Sequence, residues 1–236
     1  MIFREVFRGC RAAVVMVVFL GLVMPGSAAG GEKMPESKST GAVRLPVPAI
    51  DGGMSLEKTL SARRSVRSFK NESLTLDEVS RLLWAAQGVT HLRGFRTAPS
   101  AGALYPLEVV LAAGNVDGLA SGVYRYRPDH HDLLVIGRSD IRDELHRAAL
   151  HQAFVRDAPA VLVISAFFHR TTGKYGERGI RYVHMEVGHA AQNVLLEAVS
   201  LNLGAVVVGA FDDARVKRVL SLDAREEPLV VIPLGR

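Results

Sequence analysis

The amino-acid sequence predicts an α+β domain, and three observations predict it. Six short runs of branched or apolar residues, Val109–Ala112, Gly122–Tyr126, Leu133–Ile136, Ala160–Ala166, Ala205–Val208 and Leu229–Leu234, are bounded by turn residues and read as strands. Several are spaced as hairpins, which argues against strict parallel alternation. Helical periods lie among them, the clearest running from the capping box at Thr75–Glu78 to Gly88 and the longest over about Ile180–Leu203.

Before these elements, Arg4, Arg8 and Arg11 precede an apolar run from Ala12 to Met24, followed by Pro25-Gly26-Ser27-Ala28-Ala29. This layout predicts a secretory signal peptide over residues 1–29, cut before Gly30 and leaving no stable membrane insertion. The run is shorter than the roughly 20 residues a spanning helix needs, and a retained anchor is the alternative. Cys10, the single cysteine, precedes the run where a lipid-modified cysteine would follow it, which argues against a lipid anchor, and the processed chain has no thiol chemistry. Residues 30–50 are rich in Gly, Ser, Pro and Lys and read as a flexible linker, and residues 51–236 form one domain. The net charge of +5 falls to about +3 on cleavage, and no basic stripe with interleaved aromatics is present. Nucleic acid is not implied, and the basic excess is assigned to a bound anion.

Leu56 and Leu60 suggest a short helix running into Arg63-Arg64-Ser65-Val66-Arg67. Thr75-Leu76-Asp77-Glu78 is a capping box, after which Val79, Leu82, Leu83 and Ala86 recur at helical spacing until Gly88 supplies a left-handed stop. A further helix is expected near Ile141–Leu150, and another after Asp212-Asp213. The long helix, expected to end at Gly204, carries Val183, Val187, Ala190, Ala191, Val194, Leu195 and Ala198. That surface is too broad for one half-exposed face, so the helix is central or at a subunit interface.

The arginine cluster, Gly235-Arg236 and the intervening loop Pro99-Ser100-Ala101-Gly102-Ala103-Leu104-Tyr105-Pro106 together read as a flavin phosphate site. Guanidinium forks bind phosphate through paired charge-assisted hydrogen bonds, and a serine beside a small-residue turn adds a hydroxyl and open amides. Arginines at a helix end can equally be solvated partners of its dipole.

These motifs stand in a recognisable order. Arg63–Phe69, the Ser-Ala-Gly loop, the Tyr182–Ala198 helix with His189-Ala190-Ala191-Gln192-Asn193, Gly204–Phe211 and Ile232–Arg236 resemble the nitroreductase superfamily, in its SagB/ThcOx-type branch. The resemblance runs from about Leu56 to the last residue. It implies a mainly antiparallel central sheet flanked by helices, bound FMN, and a homodimer whose two flavin sites are each built from both subunits. Carried over residue by residue, it places Arg63 and Ser65 on the flavin phosphate, with Arg64 joining them or reaching the ribityl chain. Arg67 falls at the N1 and O2 edge, where a cation stabilises reduced flavin. Arg236 returns to the phosphate. Ser100, Ala101, Gly102 and Leu104 reach the flavin from the neighbouring subunit, and Gly209 and Ala210 present amides to the N5 and O4 edge. In azoline-oxidising members a Lys-Tyr pair removes a proton as hydride passes to flavin. Lys174-Tyr175 matches that pair and stands either as catalytic or as a surface pair.

The resulting expectation is an exported FMN-dependent oxidoreductase, periplasmic or extracellular, working in two half-reactions through flavin N5. Reduced nicotinamide is scarce outside the cytoplasm, which shifts weight toward dehydrogenating a small-molecule or peptide substrate. The alternatives are a non-catalytic protein binding FMN or another phosphorylated ligand, and an NAD(P)H-dependent nitro or quinone reductase. A metal site is not expected, because His184 and His189 are five apart and no His-Glu-x-x-His pattern occurs. Ser100 lacks the Gly-x-Ser-x-Gly elbow, no Gly-x-Gly-x-x-Gly follows a strand, and Trp84 reads as core.

Overall fold

Six antiparallel ladders join seven strands into one sheet in the computed structural model, which describes residues 41–51 and 53–236. The expected signal segment and the first part of the expected linker lie outside the described residues. The strands are β1 (Ala42–Arg44), β2 (Leu74–Thr75), β3 (Leu107–Ala113), β4 (Val116–Asp117), β5 (Gly122–Arg127), β6 (Asp132–Gly137), β7 (Ala160–Ala166), β8 (Gly204–Ala205) and β9 (Glu227–Gly235). The sheet runs β1-β6-β5-β3-β7-β9-β8, and β2 and β4 form a separate parallel pair. The helices are α1 (Leu56–Ala62), α2 (Leu76–Gln87), α3 (Arg142–Ala148), α4 (Ala153–Asp157), α5 (Phe168–Tyr175), α6 (Arg178–Ser200) and α7 (Asp213–Val219).

Every residue of β7 is buried, as an unbroken run of branched and small side chains requires of a strand covered on both faces. On one face Leu111, Leu162 and Ile232 pack with Leu82 and Leu83 of α2 and Val183, Ala190 and Val194 of α6. On the other, Val110, Val161 and Val231 pack with Leu145 of α3, Val155 of α4 and Val216 of α7. The fold is therefore the expected α+β sandwich. At the sheet end where β3 starts, Arg125 makes two 2.9 Å hydrogen bonds to the buried Glu226 carboxylate, which also accepts from Ser165 at 2.5 Å. These bonds tie β5 and β7 to the residue immediately before β9.

Four local expectations change. Residues 42–44, inside the expected linker, form β1 on β6, with Ala42 opposite Leu134. Leu45 beyond them is buried, and the Pro46 carbonyl accepts from Ser80 at 2.6 Å while facing His131 Nε2 at 2.9 Å. A three-residue strand whose partner lies about ninety residues away leaves no local period to read. The capping box forms as expected, with Thr75 N donating to Glu78 at 2.8 Å and Glu78 N to Thr75 at 3.2 Å. Its helix, however, ends at Gly88 in extended backbone, φ −61° and ψ 144°. The glycine is needed for space, because a β-carbon there would lie 2.1 Å from the Trp84 indole. Likewise α6 closes at Asn202, whose φ is 57°, with Leu203 N donating back to Ala198 at 2.7 Å. Gly204 instead admits Val66, whose Cγ1 would lie 2.6 Å from an added β-carbon. Finally, the expected strand Ala205–Val208 breaks after Ala205, and Val208 rejoins β9 through two hydrogen bonds with Val231.

Candidate flavin and proton-transfer site

Arg63 caps α1, its N–H bonded to the Thr59 carbonyl at 2.9 Å, and the chain then leaves as an extended segment. Ser65 bridges Ala205 in parallel, Val66 N donates to Ala205 O at 3.0 Å, and Lys70 N donates to Arg236 O at 2.6 Å. The Arg63–Arg67 segment therefore runs beside β8, which pairs with the end of β9, and Lys70 just beyond the segment bonds to Arg236. Among the described residues neither Arg63 nor Arg67 enters an ion pair. Arg64 donates to the Ser61 and Arg63 carbonyls at 3.0 and 2.8 Å. Two arginines outside any ion pair, flanking the exposed Ser65 along the chain, are residues of the kind that suit a phosphate. Arg236 differs from expectation: its guanidinium turns to Glu78 at 2.5 Å and stands 3.9 Å from Glu72. Gly209 and Ala210 follow Val208 at the level of mid-β9, and the Ala210 carbonyl accepts from Gln152 at 3.0 Å.

The Ser-Ala-Gly loop is built at the opposite end of the strands. Ala101–Ala103 form one 3-10 turn, in which Gly102 takes φ 64° and Ala103 φ 53°. Ser100 Oγ accepts from Tyr105 N at 2.9 Å, and Leu104 leads into β3. Because Leu107 pairs with Ala166 while Gly235 pairs with Gly204, this loop and the arginine segment lie beyond opposite strand ends.

Lys174 and Tyr175 end α5 against this loop. A β-carbon on Gly102 would lie 2.8 Å from Tyr175 Oη and 3.1 Å from Lys174 Nζ, so both tips reach the same turn. Tyr175 stacks edge-on with Tyr182 of α6, centroids 5.2 Å apart. The expected catalytic pair and the expected flavin loop are thus adjacent.

Sequence reasoning missed Glu186 and Arg96. Glu186 is only 2% exposed, yet its Oε1 has no hydrogen-bond partner. It lines a cavity of about 280 Å³ with Pro99, Ser100, Ala101, Tyr182, Met185 and His189. Burial raises its carboxyl from 4.5 to about 7, against the opposing pull of the Ser100 hydroxyl and the Arg96 charge. Arg96 lies over the Tyr105 ring at 4.4 Å. The signal was legible, since an acid at position 186 interrupts the apolar stripe of Val183, Val187 and Ala190. His184 and His189 are exposed on α6, and Trp84 is half-buried on the wall of a separate cavity of about 360 Å³. Among the described residues no three His, Cys, Asp or Glu side chains cluster as metal ligands do.

A family model described as the Nitroreductase family matches residues 60–236. The Methanocaldococcus jannaschii protein provisionally named nitroreductase MJ1384 is 51% identical over 194 residues, spanning 82% of this chain and 96% of that protein. Escherichia coli McbC, the microcin B17-processing protein, is 31% identical over 142 residues, which are 58% of this chain and 52% of McbC. A crystal structure of a provisionally named nitroreductase from Ralstonia eutropha superposes with a TM-score of 0.74 at 35% identity, covering 85% of this chain and 91% of that one. Likeness in sequence and in fold thus extends over both ends of the site, from the arginine segment to Arg236, and the chain belongs to the nitroreductase family of oxidoreductases.

Proposed function

We propose that this protein is an exported FMN-dependent oxidoreductase of the SagB/ThcOx type, acting as a homodimer and dehydrogenating a small-molecule or peptide substrate. The observation that carries the proposal is the meeting of Lys174, Tyr175 and Gly102 at one turn. Likeness to McbC supports the branch, and the leader of residues 1–29 supports export. Bound FMN supplies a two-electron carrier that takes up hydride at N5. Arg63, Arg64 and Ser65 would hold its phosphate, with Arg236 as a further cation nearby, and the charge of Arg67 would favour the ring's reduced form. Gly209 and Ala210 present backbone amides to the ring edge.

Two chains complete one site. The arginine segment and the Ser100–Leu104 loop lie beyond opposite strand ends within a chain, so the loop that meets the first copy's arginines is taken to come from a second copy. A second copy brings its own loop, with Lys174 and Tyr175, to the first copy's arginines. Lys174 then serves as base for the substrate proton, and Tyr175 holds or returns that proton at its phenol oxygen. Lys174→Gln and Tyr175→Phe are expected to lower substrate-dependent flavin reduction about 100-fold or more while leaving FMN affinity unchanged. Equal losses of FMN affinity and reduction would show a structural role.

The 51% identity to a protein named as a nitroreductase favours a second reading, reduction of nitro compounds or quinones by a nicotinamide donor. Anaerobic titration separates the two. Rapid bleaching of the flavin by NADH or NADPH selects the reductase, whereas slow bleaching by both supports the dehydrogenase.

A further inference from the structure

The cavity beneath the Ser-Ala-Gly loop holds a buried acid that the Lys174 and Tyr175 chemistry does not use. Glu186 is only 2% exposed, its Oε1 is unpartnered, and it lines the loop cavity together with Ser100, whose hydroxyl favours its ionised form. Ser100 Oγ already accepts one hydrogen bond, from Tyr105 N at 2.9 Å. One lone pair and one proton remain on that oxygen.

We propose that Glu186 is a positioning residue whose own proton sets the direction of the Ser100 hydroxyl, making the loop cavity a hydrogen-bond donor when Glu186 is protonated and an acceptor when it is ionised. With Glu186 ionised, the Ser100 O–H donates to the carboxylate and leaves a lone pair toward the cavity. With Glu186 protonated, the acid donates to Ser100 Oγ, both lone pairs are occupied, and the serine proton turns outward. The group so recognised is a neutral carbonyl or ring-nitrogen acceptor, and it is bound best on the acid side of neutrality. Only the identity of that occupant as FMN rests on the flavin reading.

The charged and titratable groups around Glu186 are few. Arg96 faces it from the loop before Pro99, and its charge favours the carboxylate. Tyr182 and His189 flank it on α6 and line the same cavity. Tyr175, with Lys174 beside it, stands behind the Tyr182 ring. Burial, which raises the acid to about 7, places the switch near neutral pH.

Infrared difference spectra of the flavin-free protein, recorded from about pH 5 to pH 9, test this without any ligand. A carboxylic-acid carbonyl band should vanish through neutral pH in the parent protein and be missing in Glu186→Gln. Ser100→Ala should move that step upward by roughly half a unit or more, because the hydroxyl that favours the carboxylate is gone. Arg96→Met should move it the same way, and His189→Ala should retain it. Loss of the band below pH 5, or a step unmoved by Ser100→Ala, would overturn the proposal. With FMN as probe, affinity should rise toward acid in the parent protein and be flat in both Glu186→Gln and Ser100→Ala. Failure of FMN to bind at all would defeat the flavin reading, while the ligand-free carboxyl titration would still decide the role of Glu186.

Discussion

Glu186 is the one carboxyl among the described residues raised to about 7, and the cause is burial within an apolar stripe. Its ionisation therefore couples to stability as well as to the site. The folded-state value lies above the ordinary 4.5, so the folded protein holds this proton more tightly than the unfolded chain does. The associated stability is fully present below about pH 4.5, declines between about 4.5 and 7, and is gone above. Glu186→Gln should accordingly gain on the parent across that window, by on the order of 2 kcal/mol at the upper end, in urea denaturation series run in parallel. A constant difference between the two proteins would show that the carboxyl does not titrate there. The same residue marks a limit of reading from sequence. Lys174-Tyr175 was legible because the pair matches a family pattern. Glu186 matches no family pattern; its signal in the sequence is an acid within an apolar stripe, and its place on the buried side of the helix gives that signal meaning.

Among the elements, α2 and α6 were legible from their periods, and each ends for a reason the period does not contain. Gly88 and Gly204 look like helix stops in the sequence, yet both are contacts, one against Trp84 and the other against Val66. A β-carbon demands room in three dimensions, and a sequence supplies only the order of residues. Gly88→Ala is expected to cost about 1–3 kcal/mol, because the Trp84 ring must move into the neighbouring cavity. Loss of stability in thermal unfolding with a red-shifted Trp84 emission would confirm the contact, and an unchanged emission would refute it. The helix itself should survive, since its capping box lies at the other end.

At the scale of the whole molecule, the sheet registers put the arginine segment and the Ser100–Leu104 loop beyond opposite strand ends. Sequence order identified both halves of the candidate site, but how far apart they stand became clear only with the ladders in place. Complementation follows from the two-chain proposal. An Arg67→Ala chain and a Lys174→Gln chain, each inactive alone, should recover activity when co-expressed, because a mixed dimer holds one site with both parts intact. About a quarter of full activity is expected from random pairing, in which half the dimers are mixed and each restores one of two sites. No recovery in purified mixed dimers would place both halves in one chain. The short β1 strand has a different consequence at this scale. It shields the backbone of β6 along Leu133 and Leu134, and the Pro46 carbonyl is fastened behind it by Ser80. A truncation at residue 50, where the composition of the leader invites a cut, would bare that backbone as a ready template for strand addition and so promote aggregation.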